Sequence, residues 1–353
     1  MKIGLLTFSR ENNYGANLQC YALTNILSSW GHEVTIINLP LQGRKFSVYS
    51  IVDEQLIFGQ FRKKYLPTAF TRAYYSEKDL TNDPPVADLY IVGSDQVWNP
   101  NITKDTNPHV YFFSWLPETA KRISYAASFG VHKWNFPDTE EYIELLKKFS
   151  HISVREQIGL SICHETFGLY ATEVLDPTFL PVSYDNLCGK YDEHRQTNEL
   201  VCFRLYSKKN FEKAALNFAN EKHWKAVSLY THRYIKGFVY VPFPSVADWL
   251  NRIRYARFVI TGSFHCVVFC ILFKKQFICI SNDTTGRNER KLNLLAKFGL
   301  EDRHYNEQKP FEVYIKEMQQ KEIDYHAIDE KLCLLREESL SFLRNAIDSL
   351  QLT

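Results

Sequence analysis

Segments of strand length alternate with segments of helical spacing along most of this chain of 353 residues, and this alternation constrains the fold more than any other feature. The apolar run KIGLLTF at residues 2–8 is followed by a polar turn and then by residues 18–27, whose apolar side chains recur at helical spacing. The run VTIIN at residues 34–38 is the next strand. Such alternation favours a largely parallel sheet with helices on both faces.

The alternation is interrupted once and then begins again. Residues 181–198 form a polar stretch, beyond which strand and helix signals alternate afresh. The length also fits two domains better than one, at about 150 residues per domain. We therefore predict an α/β protein with two Rossmann-like domains facing a central cleft, the natural place for an active site. The domains are predicted over residues 1–185 and 186–325, and a C-terminal helix over residues 326–353 is a candidate to pack back on the first.

The charge of the chain narrows the class of partner. Lysine and arginine total 42, and aspartate and glutamate total 40, which gives a net charge of +2. A protein that coats nucleic acid needs a basic excess to replace counterions, so this balance argues against a nucleic-acid partner. The eight cysteines include no CxxC pair and mostly lie in apolar runs, as is typical of free thiols in a reducing compartment.

The distribution of apolar residues predicts a cytoplasmic protein. No stretch approaches the roughly 18 apolar residues of a membrane span, and the N-terminal apolar run is shorter than the core of a signal peptide. The basic cluster FRKKY at residues 61–65 could make a peripheral contact with anionic lipid at the inner face of the membrane. A solvated basic face is the simpler explanation of that cluster.

The most informative stretch is the strand and turn at residues 257–265. The strand delivers Ser263, Phe264 and His265 to its carboxyl end, just where the next helix begins. An imidazole there lies beside unpaired helix N–H groups, so His265 could act as an acid or base next to a bound anion. A buried histidine bonded to the neighbouring strand would show the same pattern, and composition alone favours that interpretation.

Two further turns follow predicted strands. In GSDQVWNP, Asp95 and Gln96 offer a base or hydroxyl-binding groups and Trp98 offers a flat face for a sugar ring, although a turn with a buried tryptophan would look alike. The first turn should place its polar residues at the carboxyl end of a strand and the N-terminus of a helix, where open α/β sheets bind ligands. The residues of that turn are Asn13, Tyr14 and Gly15.

Arginines near strand ends form a third group of candidates. A guanidinium binds a carboxylate or a phosphate through two parallel hydrogen bonds. Most arginines are surface residues with salt-bridge partners, so any one of these can equally be structural. Arg204 stands out because a charge inside an apolar strand needs a partner. The candidates are Arg155, Arg204, Arg287 and Arg290.

Several common sites lack their sequence pattern. The segment HCVVFC at residues 265–270 has no second pair of ligands, so we expect no metal site. The sequence contains neither GxGxxG nor a Walker loop, which weakens a dinucleotide or nucleoside-triphosphate site. Because GxSxG is also absent, a serine hydrolase has little support.

Taken together, these segments resemble the polysaccharide pyruvyltransferase family. They occur in the order typical of that family and cover most of residues 1–300; they are NYGANLQCYAL, DLYIVGSDQVWNP, ISYAASFG, ISVREQIG, VLDPTFL, VPFPSVADWLNRIRYARFVITGSFH and FKKQFICI. The resemblance implies a fold like the glycosyltransferase-B class, phosphoenolpyruvate as donor and a saccharide, free or carried on a nucleotide or lipid, as acceptor. Such enzymes cap two hydroxyls of one sugar as a pyruvate ketal during synthesis of surface or capsular polysaccharide. The resemblance implies no metal and no cofactor.

The resemblance also assigns roles to residues. His265, which matches the histidine of the family, would be the general acid. From the chemistry of the reaction alone, a carboxylate such as Asp95 could take the proton of the acceptor hydroxyl. Arg155 matches the arginine of the SVRE motif and would bind the carboxylate or phosphate of the donor. The other candidate donor residues are Arg204, Ser263, Phe264, Arg287 and Arg290. Gln96 and Trp98 belong, with Asp95, to the N-terminal signature of the family. The candidate acceptor residues are Asn13, Tyr14, Gly15, Gln19, Ser94, Gln96 and Trp98.

Three positions depart from the family pattern. Ser263 stands where many members carry arginine, Gly262 where aspartate is common, and Cys266 where a glycine often follows the histidine. The donor clamp would then depend on another cation. Two other functions stay open: a nucleotide-sugar-dependent glycosyltransferase of the same fold, and a saccharide-binding homologue that has lost catalysis.

Overall fold

The computed structural model describes residues 1–43, 47–66, 70–203, 209–229, 233–281 and 287–351, without the side chains of residues 209, 210 and 287. The chain divides into two compact units. The first comprises Met1–Ser50, Arg62–Pro181 and Leu332–Thr353, and the second comprises Ile51–Phe61 and Val182–Lys331. Each unit is built on a parallel sheet, so the predicted α/β fold with two parallel sheets is confirmed.

The sheet of the first unit has the strand order β3-β2-β1-β4-β5, and β6 pairs with β7. Parallel bridges from Ile123 to His151 and from Ala127 to Val154 align that pair with the sheet. The order reverses between β1 and β4, since β2 and β3 lie on one side and β5 on the other. The strands are β1 (Lys2–Leu6), β2 (Glu33–Asn38), β3 (Phe70–Ala73), β4 (Leu89–Val92), β5 (Arg122–Ser124), β6 (Ser153–Val154) and β7 (Thr172–Glu173).

The helices of the N-terminal half connect these strands. Asn13 begins the first of them, because its side-chain oxygen accepts a hydrogen bond from the amide of Ala16 at 3.2 Å and so satisfies a free N–H group. The helices are α1 (Tyr14–Ser29), α2 (Val48–Asp53), α3 (Gly59–Tyr65), α4 (Glu77–Asn82), α5 (Pro100–Thr103), α6 (Thr139–Leu146) and α7 (Gln157–Ser161).

The second unit has a six-stranded parallel sheet in the order β10-β9-β8-β11-β12-β13, which reverses between β8 and β11. This is the strand order of a Rossmann fold. Its strands are β8 (Glu199–Phe203), β9 (Lys225–Ser228), β10 (Val239–Tyr240), β11 (Phe258–Thr261), β12 (Phe277–Ile280) and β13 (His304–Tyr305). The remaining helices are α8 (Asp185–Cys188), α9 (Lys209–Glu221), α10 (Val246–Tyr255), α11 (Phe264–Leu272), α12 (Arg287–Lys297), α13 (Phe311–Gln320) and α14 (Tyr325–Gln351).

Aromatic side chains dominate the core of the first unit. The Trp98 ring stacks on Phe112 with centroids 5.2 Å apart and meets the edge of Phe149 at 5.8 Å. Phe129 contacts the same indole at 5.2 Å. Much of the aromatic content of the chain is therefore core. Among the described residues, we find no helix that is both long enough and apolar enough to cross a bilayer.

Candidate functional site

In the first unit, polar residues follow both strands that flank the reversal of strand order. The Thr7 hydroxyl donates to the carbonyl of Ser94 at 2.8 Å, and the Gln19 amide donates to the Thr7 oxygen at 2.9 Å. All three side chains are buried. Ser94 and Gln19 thus lie together at the point where open parallel sheets bind ligands, below the accessible surface.

The N-terminus of α1 lies at the same edge of the sheet. Tyr14 and Gly15 are buried in the first turn of the helix, whereas Asn13 is partly exposed. The Asn13 carboxamide oxygen caps the helix, so its amide N–H₂ group is the part of this turn that can reach a hydroxyl.

The turn after β4 presents Asp95 in an unusual backbone conformation. Its φ angle is +79°, a region that non-glycine residues rarely adopt and that is common at functional sites. The Asp95 carbonyl accepts a hydrogen bond from the backbone N–H of Ser128 at 3.0 Å. One oxygen of the Asp95 carboxylate accepts a hydrogen bond from the backbone N–H of Gln96 at 2.9 Å. Gln96 packs against Gly130, where a Cβ atom would overlap its side-chain oxygen. Asp95 and Gln96 are both partly exposed.

Arg155 follows β6, and its guanidinium group faces three carboxylates. The distances are 2.8 Å to Asp176, 3.4 Å to Glu156 and 3.5 Å to Asp95. The Arg155 side chain is only 1% exposed. Burial opposes its charge, but Asp176, Asp95 and Glu156 outweigh burial and raise the pKa of Arg155. The structure therefore places Arg155 differently from the expectation that it binds the donor, since its guanidinium is enclosed by carboxylates.

The hydrogen bonds of Asp176 fill its carboxylate. One oxygen accepts from Arg155 at 2.8 Å and from the Ser94 hydroxyl at 2.9 Å, and the other accepts from the amide and the hydroxyl of Thr178 at 3.0 and 2.6 Å. A carboxylate offers roughly four lone-pair positions. Asp176 therefore has a structural role in the cluster.

Asp95 is the accessible carboxylate of this cluster. Its side chain is 16% exposed, against 2% for Glu156, which also accepts a hydrogen bond from the Ser128 hydroxyl at 2.5 Å. Asp95 has the longest of the three contacts to Arg155. It is therefore the carboxylate best placed to exchange a proton with a bound substrate.

Trp98 does not offer the stacking surface that the sequence suggested. Its side chain is 0% exposed, and its ring faces are covered by Phe112 and Phe129. Its indole N–H donates to the carbonyl of Tyr111 at 3.0 Å. A sugar ring has no access to it in this structure, so Trp98 supports the Asp95 turn from within the core.

We expect Trp98→Ala to lower the free energy of unfolding by about 3–5 kcal/mol, because it removes a large ring from a closely packed core. Trp98→Phe keeps most of that volume and loses the hydrogen bond to Tyr111, so it should cost less. Chemical denaturation of both variants measures the difference. Equal stability of Trp98→Ala and the wild type would contradict the role assigned to this ring.

In the second unit, β11 delivers His265 to the N-terminus of α11. Strand β11 ends at Thr261, whose hydroxyl accepts a hydrogen bond from the amide of Ser263 at 3.0 Å. His265 lies in the first turn of α11, is 7% exposed, and packs edge-on against Phe264. Ser263 and Phe264 are partly exposed. The first amides of a nine-residue helix attract an anion to this turn.

Lys291 places a positive charge next to this turn. Its ammonium group donates to the carbonyl of Gly262 at 3.2 Å and to that of Ile280 at 2.8 Å, at the carboxyl ends of β11 and β12. Lys291 is 4% exposed. The sequence analysis missed it. The detectable signal was a lysine at helical spacing from Leu295 and Phe298, on the apolar face of α12.

Of the remaining arginines proposed for the donor, the structure describes the side chain of Arg290. Arg290 lies one position before Lys291, with its guanidinium carbon 5.9 Å from the centre of the Phe264 ring. Arg204 lies outside the described residues, as does the side chain of Arg287. The described cations that the structure brings to the His265 turn are therefore Lys291 and Arg290.

A second histidine that the sequence analysis missed, His304, is the first residue of β13 and pairs with Cys279 of β12. Ser281 directly follows β12, and its hydroxyl is hydrogen-bonded to the His304 ring at Nε2. Burial and the charge of Lys291 lower the pKa of His304. His304 is therefore neutral near pH 7 and can orient the Ser281 hydroxyl.

Two thiols of the second unit, those of Cys270 and Cys279, are buried and protonated. Burial raises the pKa of Cys279 to about 11 and raises that of Cys270 well above its ordinary value. Within the ranges that the structure describes, no group of three or more His, Cys, Asp or Glu side chains is arranged to hold a metal ion.

The fold is similar to that of UDP-GlcNAc 2-epimerases and of an O-GlcNAc transferase. A UDP-GlcNAc 2-epimerase from Neisseria meningitidis matches 99% of this chain and 100% of its own, with a TM-score of 0.61 and 9% identity. One from Methanocaldococcus jannaschii matches 95% of this chain and 99% of its own, with a TM-score of 0.55 and 11% identity. An O-GlcNAc transferase mutant from Thermobaculum terrenum matches 99% and 67%, with a TM-score of 0.53 and 10% identity. At these identities the likeness concerns the fold, which is of the glycosyltransferase-B type.

Sequence comparison identifies the family of this chain. No curated protein sequence matches it. A family model described as polysaccharide pyruvyl transferase matches residues 13–284, which include both the Asp95 turn and the His265 turn. The chain therefore belongs to the polysaccharide pyruvyl transferase family.

Proposed function

We propose that this protein is a ketal pyruvyltransferase, which transfers pyruvate from phosphoenolpyruvate to two hydroxyls of one sugar during synthesis of a surface or capsular polysaccharide. The observation that carries the proposal is the His265 turn, which places an imidazole at a helix N-terminus and whose Gly262 carbonyl accepts a hydrogen bond from the ammonium group of Lys291. Phosphoenolpyruvate has a carboxylate and a phosphate, which call for cationic or helix-terminal partners. Family membership supports the same class of donor.

His265 acts in this proposal as the general acid. It gives a proton to the methylene carbon of phosphoenolpyruvate, and the π electrons of the double bond form the new C–H bond. The carbon that bears the phosphate becomes electron-poor, and the helix-terminal amides and nearby cations hold the anionic groups in place. The assignment needs no proton source besides the imidazole.

Asp95 acts as the base for the acceptor. It takes the proton of the first hydroxyl as that oxygen bonds to the electron-poor carbon. The bond from this carbon to the phosphate oxygen then breaks, and phosphate leaves with the electron pair. The second hydroxyl bonds to the same carbon and closes the ketal. Of the two hydroxyl protons, one restores the proton that His265 gave to the methyl group, and the other leaves with phosphate.

We assign the donor to the C-terminal domain, predicted over residues 186–325, and the acceptor to the N-terminal domain, predicted over residues 1–185. His265, Lys291 and Arg290 support the first assignment, because all the described cations at that turn belong to the second unit. The partly exposed Asp95 and Gln96 support the second, because carboxylate and amide groups bind sugar hydroxyls. The proposal places the reaction in the cytoplasm, where phosphoenolpyruvate is made.

The test is an assay of phosphate release from phosphoenolpyruvate across a panel of free, nucleotide-linked and lipid-linked glycosides. We expect release only with a matching acceptor, and mass spectrometry of that acceptor should show an added pyruvate ketal. UDP-GlcNAc as the only donor serves as the control. Sugar transfer from a nucleotide sugar without use of phosphoenolpyruvate would identify a glycosyltransferase instead. Sugar binding with neither reaction would identify a non-catalytic saccharide-binding protein.

A further inference from the structure

We infer that Arg155 and Asp176 are positioning residues, which hold the Asp95 turn and set the charge around Asp95 without contacting the donor. The inference rests on the proposed function for the role of Asp95 as a base. It departs from the role that the SVRE motif suggests for Arg155, because the guanidinium group is enclosed by carboxylates of its own unit.

The first argument is geometric. One nitrogen of the Arg155 fork contacts Asp176 at 2.8 Å, and the other contacts Asp95 at 3.5 Å. Asp176 in turn accepts from the Ser94 hydroxyl at 2.9 Å. Two consecutive residues of the turn, Ser94 and Asp95, are thus tied to the same ion pair, which is itself buried. A fork of fixed geometry is suited to this, because it fixes two carboxylates relative to each other.

The second argument concerns the backbone. Asp95 has a φ angle of +79°, which costs free energy in a non-glycine residue and persists only where the surroundings impose it. These surroundings include the hydrogen bond from the backbone N–H of Ser128 to the Asp95 carbonyl and the ion pair of Arg155 with Asp176. The network therefore holds the carboxylate of Asp95 in one direction while leaving it partly exposed.

The third argument is electrostatic. The charged groups that the described part of the chain places around Asp95 include Arg155 and Glu156, which follow β6, and Asp176, which lies beyond β7. Burial and the charge of Asp176 raise the pKa of Tyr125 far above its ordinary value, so that this hydroxyl is neutral. The Arg155 guanidinium contacts all three carboxylates, and at this range each of these charge interactions is stronger in a buried site than it would be in water.

Because Arg155 and Asp176 carry opposite charges, replacing each of them with a neutral residue should shift the ionisation of Asp95, and with it the pH dependence of kcat, in opposite directions. Asp176→Asn removes a negative charge and leaves Arg155 less compensated, so Asp95 should stay ionised to lower pH. Arg155→Gln removes the positive charge, so Asp95 should take up a proton at higher pH. A mere loss of structure would not produce shifts of opposite sign.

The experiment measures kcat and the KM for phosphoenolpyruvate against pH for the wild type, Arg155→Gln, Arg155→Lys and Asp176→Asn. We expect the acidic limb of kcat to move by at least about one pH unit, upward in Arg155→Gln and downward in Asp176→Asn. Arg155→Lys keeps the charge but loses the fork, so it should lower kcat with a smaller shift. The KM for phosphoenolpyruvate should stay within about threefold of the wild type, less than the loss of a charged hydrogen bond would cause.

Arg122→Lys is the matched control, because Arg122 is a buried arginine of the same unit that donates to the backbone carbonyls of Phe113, Pro117 and Ala120. It should lower stability without moving the pH limb. An increase of about tenfold or more in the KM for phosphoenolpyruvate in Arg155→Lys, with the limb unmoved, would overturn the inference and make Arg155 a donor ligand. Should Arg155→Gln fail to fold, Arg155→Lys and Asp176→Asn still decide the matter.

A measurement without turnover separates this inference from the proposed function. In protein labelled with ¹³C at aspartate carboxyls, the signal lost in Asp95→Asn identifies Asp95, and its titration should move in the same directions in the variants. If no acceptor supports phosphate release, the proposed function fails while this titration still tests the network. A titration that moves in neither variant would overturn the inference whatever the activity.

Discussion

His265→Ala should lower phosphate release from phosphoenolpyruvate by about 10³-fold or more, which is the scale expected for the loss of a general acid. The physical reason is that, in the proposed reaction, protonation of the methylene carbon creates the electron-poor centre. His265 is the proposed source of that proton, and its imidazole lies at the N-terminus of α11, where an anionic donor would bind. Steady-state phosphate release with a saturating acceptor is the measurement.

The fold and donor binding should survive this substitution. His265 lies in the first turn of α11, and alanine favours a helix. Because Lys291 and the helix-terminal amides remain, phosphoenolpyruvate should still raise the Tm of the variant. His304→Gln is the matched control, since His304 is the neighbouring histidine of the same unit and a glutamine amide can replace its hydrogen bond to Ser281. Full activity of His265→Ala would refute the acid assignment.

Asp95→Asn should lower kcat by about 10²-fold or more while leaving the KM for phosphoenolpyruvate nearly unchanged. The amide has the shape of the carboxylate but cannot take the proton of the acceptor hydroxyl. Asparagine also tolerates a positive φ angle better than most residues, so the turn at φ +79° should persist. Steady-state kinetics with both substrates varied measures the two effects separately.

Asp138→Asn is the control for this substitution. Asp138 is another aspartate of the first unit with a positive φ angle, +58°, but it is exposed and lies at the start of α6. The change of side chain is identical, so it isolates the effect of position. A comparable loss of activity in Asp138→Asn, or none in Asp95→Asn, would contradict the assignment of Asp95 as the base.

The parts of this protein that were predictable from sequence depend on short-range patterns. Alternating strands and helices indicate parallel sheets because each periodicity is set within a few residues. The start of α1 at Asn13 follows from a cap that forms three residues away. The His265 turn was found for the same reason, since a strand end and a helix start are adjacent in the chain.

The roles of individual side chains were harder to predict because their partners are distant in sequence. Trp98 is shielded by Phe112 and Phe149, and nothing within its own motif shows whether an indole faces solvent or core. Lys291 reaches the carbonyl of Gly262, 29 positions away, and so supplies a cation that the motif around Ser263 lacks. A charge on an apolar helix face is the one local sign of such a contact.

Sequence by itself determined the fold class, the family and the two turns that follow β4 and β11, because hydrophobic periodicity and capping act between neighbours in the chain. Only the tertiary structure decided which groups Arg155 contacts. Its partners Asp176 and Asp95 lie 21 and 60 positions away, and three parallel strands bring them to one sheet edge. Whether a guanidinium meets a ligand or a carboxylate of its own chain depends on that convergence, which no local pattern encodes.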